Sequence, residues 1–64
     1  MKWTDVYRIA ESLADAHSDI HPQNIRFTEL RALVLGLPEF DDNPDHCGEK
    51  VLEAIQQAWI EEIS

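Results

Sequence analysis

The chain has 64 residues, with thirteen Asp and Glu against five Lys and Arg, a formal charge of −8, and a single cysteine. A chain this short forms one domain, residues 1–64, that buries only about 60% of its unfolded surface, so a shallow surface site or a docking face is the natural expectation rather than an enclosed active site. The charge argues against nucleic acid, whose binding rests on neutralising phosphates with Lys and Arg, and against anionic membrane surfaces; one cysteine permits neither an internal disulfide nor a four-cysteine iron–sulfur centre within the chain.

The N-terminal stretch MKWTDVYRIAE turns polar at once. It lacks the apolar run of a signal peptide, and no apolar stretch approaches membrane-spanning length, so the expected compartment is the cytoplasm. A first helix is predicted after Thr4 as N-cap, with Asp5 in its first turn. Val6, Ile9, Ala10, Leu13 and Ala16 form its apolar stripe. The helix should stop near His17, before Ser18-Asp19 and Pro22, because the residue ahead of a proline is driven away from helical geometry. Ile25 and Phe27 flank Arg26 in alternation, which allows a very short strand. Thr28 is placed to cap a second helix over Glu29 to Leu35. Its stripe is Leu30, Leu33, Val34 and Leu37, and Gly36 and Pro38 are stop signals.

The stretch LPEFDDNPDHCG at 37–48 is an acidic loop. A third helix is predicted from Glu49 to Ile63, with Val51, Leu52, Ile55, Ala58, Trp59 and Ile63 on its apolar face. Glu49, Glu53, Gln56 and Gln57 lie opposite. The resulting fold class is mainly α, a small three-helix domain with a reduced, winged-helix-like layout. Charge is unevenly spread: residues 1–36 are net −1 and residues 37–64 net −7.

Asp41, Asn43 and Asp45 have the spacing of the first three ligands of an EF-hand, but His46 stands where the turn needs glycine and Leu52 where a bidentate Glu is required, which excludes that site. Two readings of the loop remain open on the residues alone. Glu39, Asp41, Asp42 and Asp45 could hold a hard cation weakly through oxygen, or they form a solvated acidic connector ahead of a helix whose dipole favours negative charge. His17 and His21 are four apart, yet Pro22 breaks the continuous helix that a zinc pair at that spacing needs. Cys47 lies among carboxylates that disfavour a thiolate. Glu61 and Glu62 oppose the dipole at the end of the third helix, and Ile60 projects toward its polar side; together they have the look of a docking face for a basic partner.

The stretches WTD at 3–5, RFT at 26–28, FDDNP at 40–44, EKVLEAI at 49–55 and WIEE at 59–62 resemble, in order and spacing over nearly the whole chain, the IscX family of iron–sulfur cluster assembly accessory proteins. The resemblance implies a small modified winged-helix-like fold in a very acidic protein, and the chain is expected to be a monomer. It also implies an adaptor or regulator, not an enzyme, that binds the cysteine desulfurase of the assembly machinery on a surface overlapping that of frataxin and binds iron weakly, as donor or iron-dependent modulator. By position, Asp41 and Asp42 match the family's acidic loop and Glu61 and Glu62 its acidic helix end. The family commonly has a third acid where this chain has Asn43, and Asp45 is the nearest substitute. The expected weak iron ligands are therefore Glu39, Asp41, Asp42 and Asp45, and the expected partner contacts Asp41, Asp42, Glu49, Glu53, Ile60, Glu61 and Glu62. The alternative suggested by layout alone, a nucleic-acid-binding winged helix, needs a basic stripe, and the second helix offers only Arg31 with Arg26 just before it.

Overall fold

A computed structural model describes all 64 residues. Three helices, α1 (Val6–Ala16), α2 (Phe27–Leu35) and α3 (Glu49–Ile63), are linked by two 3-10 turns at Pro22–Asn24 and Pro44–His46. Their facing sides close on one core. Ile9, Ala10 and Leu13 come from α1, Leu30 and Val34 from α2, and Leu52, Ile55, Ala58 and Trp59 from α3, joined by Trp3 and Leu37 from outside the helices. The apolar spacing places α1 directly against α3, while α2 closes the third side.

The starts of α1 and α2 depart from the sequence expectation by one or two residues. Asp5, not Thr4, is the N-cap residue of α1. Its carboxylate does not cap the helix but accepts from the Lys2 backbone N–H at 2.8 Å, closing the turn that leads into it. Thr28 lies inside α2, which begins at Phe27 after Arg26 in extended geometry, so the aromatic ring joins the helix. No strand forms at Ile25–Phe27. Ile25 is extended, but it follows a 3-10 turn directly and runs into a helix, leaving no length of chain to pair. The hairpin that makes a wing is thus absent, and the layout is reduced to its helices.

Two ends of the expected stripes are exposed: Ala16 and Ile63, the latter at 44%. Gln56, assigned by periodicity to the solvent face, instead donates from Nε2 to the Pro22 carbonyl at 2.7 Å and ties α3 to the first 3-10 turn. Gln56→Ala removes that partly buried bond and should cost about 1 kcal/mol, read as a lower urea midpoint at unchanged slope. An unchanged midpoint would show that water replaces the side chain without loss.

Candidate functional site

The acidic loop is held by the start of the chain. Trp3 is buried against Phe40, ring centroids 4.7 Å apart and edge-on at 68°, and its indole Nε1 donates to the Asn43 carbonyl at 2.8 Å. Around this anchor the backbone and carboxylates interlock. Asp41 N–H donates to the Met1 carbonyl at 3.0 Å. Lys2 Nζ donates to the Asp41 carbonyl at 2.8 Å and lies 3.4 Å from its carboxylate, and the Met1 amino group lies 3.0 Å from Asp41 Oδ1.

Asp42 is the most committed of the loop acids. Its Oδ2 accepts from the Trp3 backbone N–H at 3.0 Å and its Oδ1 from the Asn43 N–H at 2.7 Å, with His46 Nδ1 3.7 Å away. The side chain is only 21% exposed, against 67% for Asp41. Asn43 in turn accepts from the Asp45 N–H at 2.9 Å and caps the second 3-10 turn. Glu39 and Asp45 are more loosely placed, 3.8 Å from Arg8 and Arg31 respectively.

These contacts hold both Asp carboxyls below their ordinary value of 3.8. For Asp42 the main cause is the Trp3 N–H, then that of Asn43; for Asp41 it is the hydrogen bond from the amino terminus, then the charge of Lys2. A carboxyl lowered in the folded state stabilises fully above its unfolded value and loses that contribution as pH falls through the lower folded one. The clasp should therefore weaken only below about pH 4. Asp42→Asn can satisfy one of the two N–H donors but not both, since its Nδ2 accepts nothing. The variant should melt several degrees below wild type at neutral pH, and the gap should narrow as the wild type is acidified. A gap that persists at low pH would show that Asp42 acts by shape rather than by charge.

The loop does not fit a prearranged metal site. Nowhere do three or more His, Cys, Asp or Glu side chains come together closely enough to hold an ion. Asp41 and Asp42 are each engaged by two donors of the chain, and Glu39 and Asp45 each face an arginine. Cys47 is half-buried, with Sγ 3.4 Å from the Pro44 carbonyl.

The acids of α3 are differently placed. Glu49, Glu53, Glu61 and Glu62 are all exposed, and none of their carboxylates takes part in an ion pair or hydrogen bond. At 100° per residue, Glu49, Glu53 and half-buried Ile60 run along the side of α3 that Gln56 shares, Glu61 turns toward α1, and Glu62 lies on a third side at the helix end. The seven expected partner residues thus divide into a structural pair, Asp41 and Asp42, and an unpaired set on α3. Arg31, the one base within α2, is spent on the loop: its guanidinium donates to the Pro44 carbonyl at 3.1 Å and sits near Asp45. No basic stripe is left on that helix for nucleic acid.

Two open grooves mark the surface. One, of about 300 Å³, lies beside the clasp between Met1, Ser12, Asp15 and the 37–39 stretch. The other, of about 430 Å³, lies between the start of α1 and the second half of α3. Sequence reasoning gave no role to Trp3, Phe40 or Tyr7. Two isolated aromatics flanking no periodic stripe were the only available signal for the clasp.

Fold and surface define a small three-helix domain whose negative charge is concentrated in its latter half and on its last helix. The chain belongs to the family described as iron-sulphur cluster assembly, whose pattern matches residues 1–64. It is 53% identical over 62 residues to the uncharacterized protein PA3808 of Pseudomonas aeruginosa, covering 97% of this chain and 94% of that one. The IscX resemblance read from the residues therefore stands, and the chain takes part in iron–sulfur cluster assembly. No helix is long and apolar enough to cross a membrane.

Proposed function

We propose that this protein is a cytoplasmic, non-catalytic, monomeric adaptor that docks through the acids of α3 on a basic surface of a cysteine desulfurase, and that it modulates sulfur delivery in cluster assembly. The observation that carries this reading is the division of the carboxylates: each of those in the loop has a cation or N–H of the chain beside it, while Glu49, Glu53, Glu61 and Glu62 are exposed and unpaired. Unpaired charge on a rigid helix costs little to bring against an opposite charge, and it steers encounter as well as orientation.

Iron has a lesser place in the proposal. An ion at Asp41 would compete with Lys2 and the amino terminus, and one at Glu39 or Asp45 with Arg8 or Arg31. Binding at the loop is therefore expected to be weak and salt-sensitive. A titration with ferrous iron should saturate only at high concentration; tight, salt-independent uptake would refute this placement.

The partner is tested by calorimetric titration of the chain into a bacterial cysteine desulfurase at low and at high salt. Binding that weakens steeply with salt is expected. No binding at low salt would end the proposal.

A further inference from the structure

The groove between α1 and α3 uses residues that charge docking does not require. Tyr7, at 75% exposure, is the most exposed large hydrophobic side chain of the molecule, and it stands on this groove. The hollow has a plain origin. At this point α3 offers Ala54 and, one turn on, Ala58, whose methyl groups fill little of the space beside Val6 and Tyr7. Ala58 is buried, Val6 half-buried and Ala54 exposed, so the apolar lining runs from the core edge to solvent.

The polar edge of the hollow is Thr4, Gln57 and Glu61. Glu61 has no cationic partner and lies in the last turn of α3, where the unpaired carbonyls of the helix end add to its negative potential. The two bases of the first eight residues are turned elsewhere, Lys2 to Asp41 and Arg8 to Glu39. An aromatic ring, an apolar hollow and an unneutralised carboxylate therefore adjoin one another on a surface of a strongly acidic protein.

We propose that this groove receives an aliphatic or aromatic side chain of the basic partner, from a segment in which a Lys or Arg adjoins it. The anchor would lie over Ala54 and Ala58 against the Tyr7 ring, and the cation would meet Glu61. The combination of a tyrosine, an apolar hollow that a partner would desolvate and an edge charge is that of an interface hot spot. A second copy of this chain is a poor occupant, because it brings the same charge of −8 and the same acidic edge. The inference rests on the docking reading above and adds that recognition is not by charge alone: charge governs the rate of encounter, and the groove governs which basic surface is retained.

The test measures desulfurase affinity for the full chain and for Tyr7→Ala, Tyr7→Phe and Ala54→Gln, with helicity and melting temperature checked for each. Both altered positions are exposed, so the fold should be unaffected. Tyr7→Ala and Ala54→Gln should each weaken binding about tenfold or more, by similar factors at low and high salt, because an apolar contact is not screened. Tyr7→Phe should retain most of the affinity. A ¹⁵N titration should shift the amides of Tyr7, Ala54, Gln57 and Glu61. If wild type binds and Tyr7→Ala binds equally well, the groove proposal falls and the docking reading stands. If wild type does not bind at low salt, the docking reading falls and takes the groove with it. If the groove amides shift with the chain's own concentration and light scattering shows a dimer, the occupant is a second copy and the proposal is overturned.

Discussion

Trp3→Ala is expected to remove much of the folding stability of the molecule at room temperature. The indole is 2% exposed, packs edge-on against Phe40 and donates to the Asn43 carbonyl. Truncating a buried tryptophan costs about 3–5 kcal/mol. At 0.05–0.15 kcal/mol per residue, a chain of 64 residues has only about 3–10 kcal/mol to lose. Removing the ring also takes away the side-chain hold of the N-terminal strap, residues 1–5, on the loop, because the bond to the Asn43 carbonyl and the Phe40 contact go with it while the backbone N–H to Asp42 remains. Trp3→Phe should be far milder, giving up the indole bond at about 1 kcal/mol while keeping much of the aromatic contact. Urea denaturation followed by circular dichroism separates the two, and an alanine variant with a near-native midpoint would mean that the strap is not part of the cooperative unit.

The second large effect concerns association. Reversing Glu49, Glu53, Glu61 and Glu62 to Lys together should slow binding to the desulfurase on the order of a hundredfold at low salt, with a smaller change in dissociation, because rim charges act chiefly on encounter. The effect should fade at high salt. Helicity should survive, as none of the four carboxylates is engaged within the fold. Reversing Asp41 and Asp42 to Lys is a different experiment: it sets cations against Lys2 and against the Trp3 N–H, so lost binding would report a damaged clasp. Stopped-flow association at two ionic strengths decides the matter. Equal rates for wild type and the α3 reversal would show that these acids take no part in steering.

The helices could be read from the chain because each carries its own local evidence. The third helix was expected over Glu49 to Ile63 and is found there, since four turns of apolar periodicity outweigh an uncapped Gly48. The second begins earlier than Thr28 suggested because Phe27 gains more by packing against the core than Thr28 would by capping. The clasp was illegible for a different reason. Trp3 and Asp42 are 39 positions apart, and nothing in the residues between them announces the contact. The acidic run at 39–45 reads as surplus charge in one dimension, and only the fold shows which carboxylates are already matched by donors. Ile60 and Gln56 make the same point on a smaller scale. A helical wheel puts them near the solvent face, but both are half-buried, and Gln56 is bonded to the Pro22 carbonyl.

The two indoles live in unlike surroundings. Trp59 is wholly enclosed and its Nε1 finds no protein acceptor, whereas Trp3 Nε1 is bonded to the Asn43 carbonyl. The chain thus carries two built-in spectroscopic reporters, one inside the helical bundle and one on the seam that closes over it. Their side-chain proton resonances should be well separated. Loosening of the seam by acid or by a bound partner could then be watched at one signal while the other certifies that the bundle is intact.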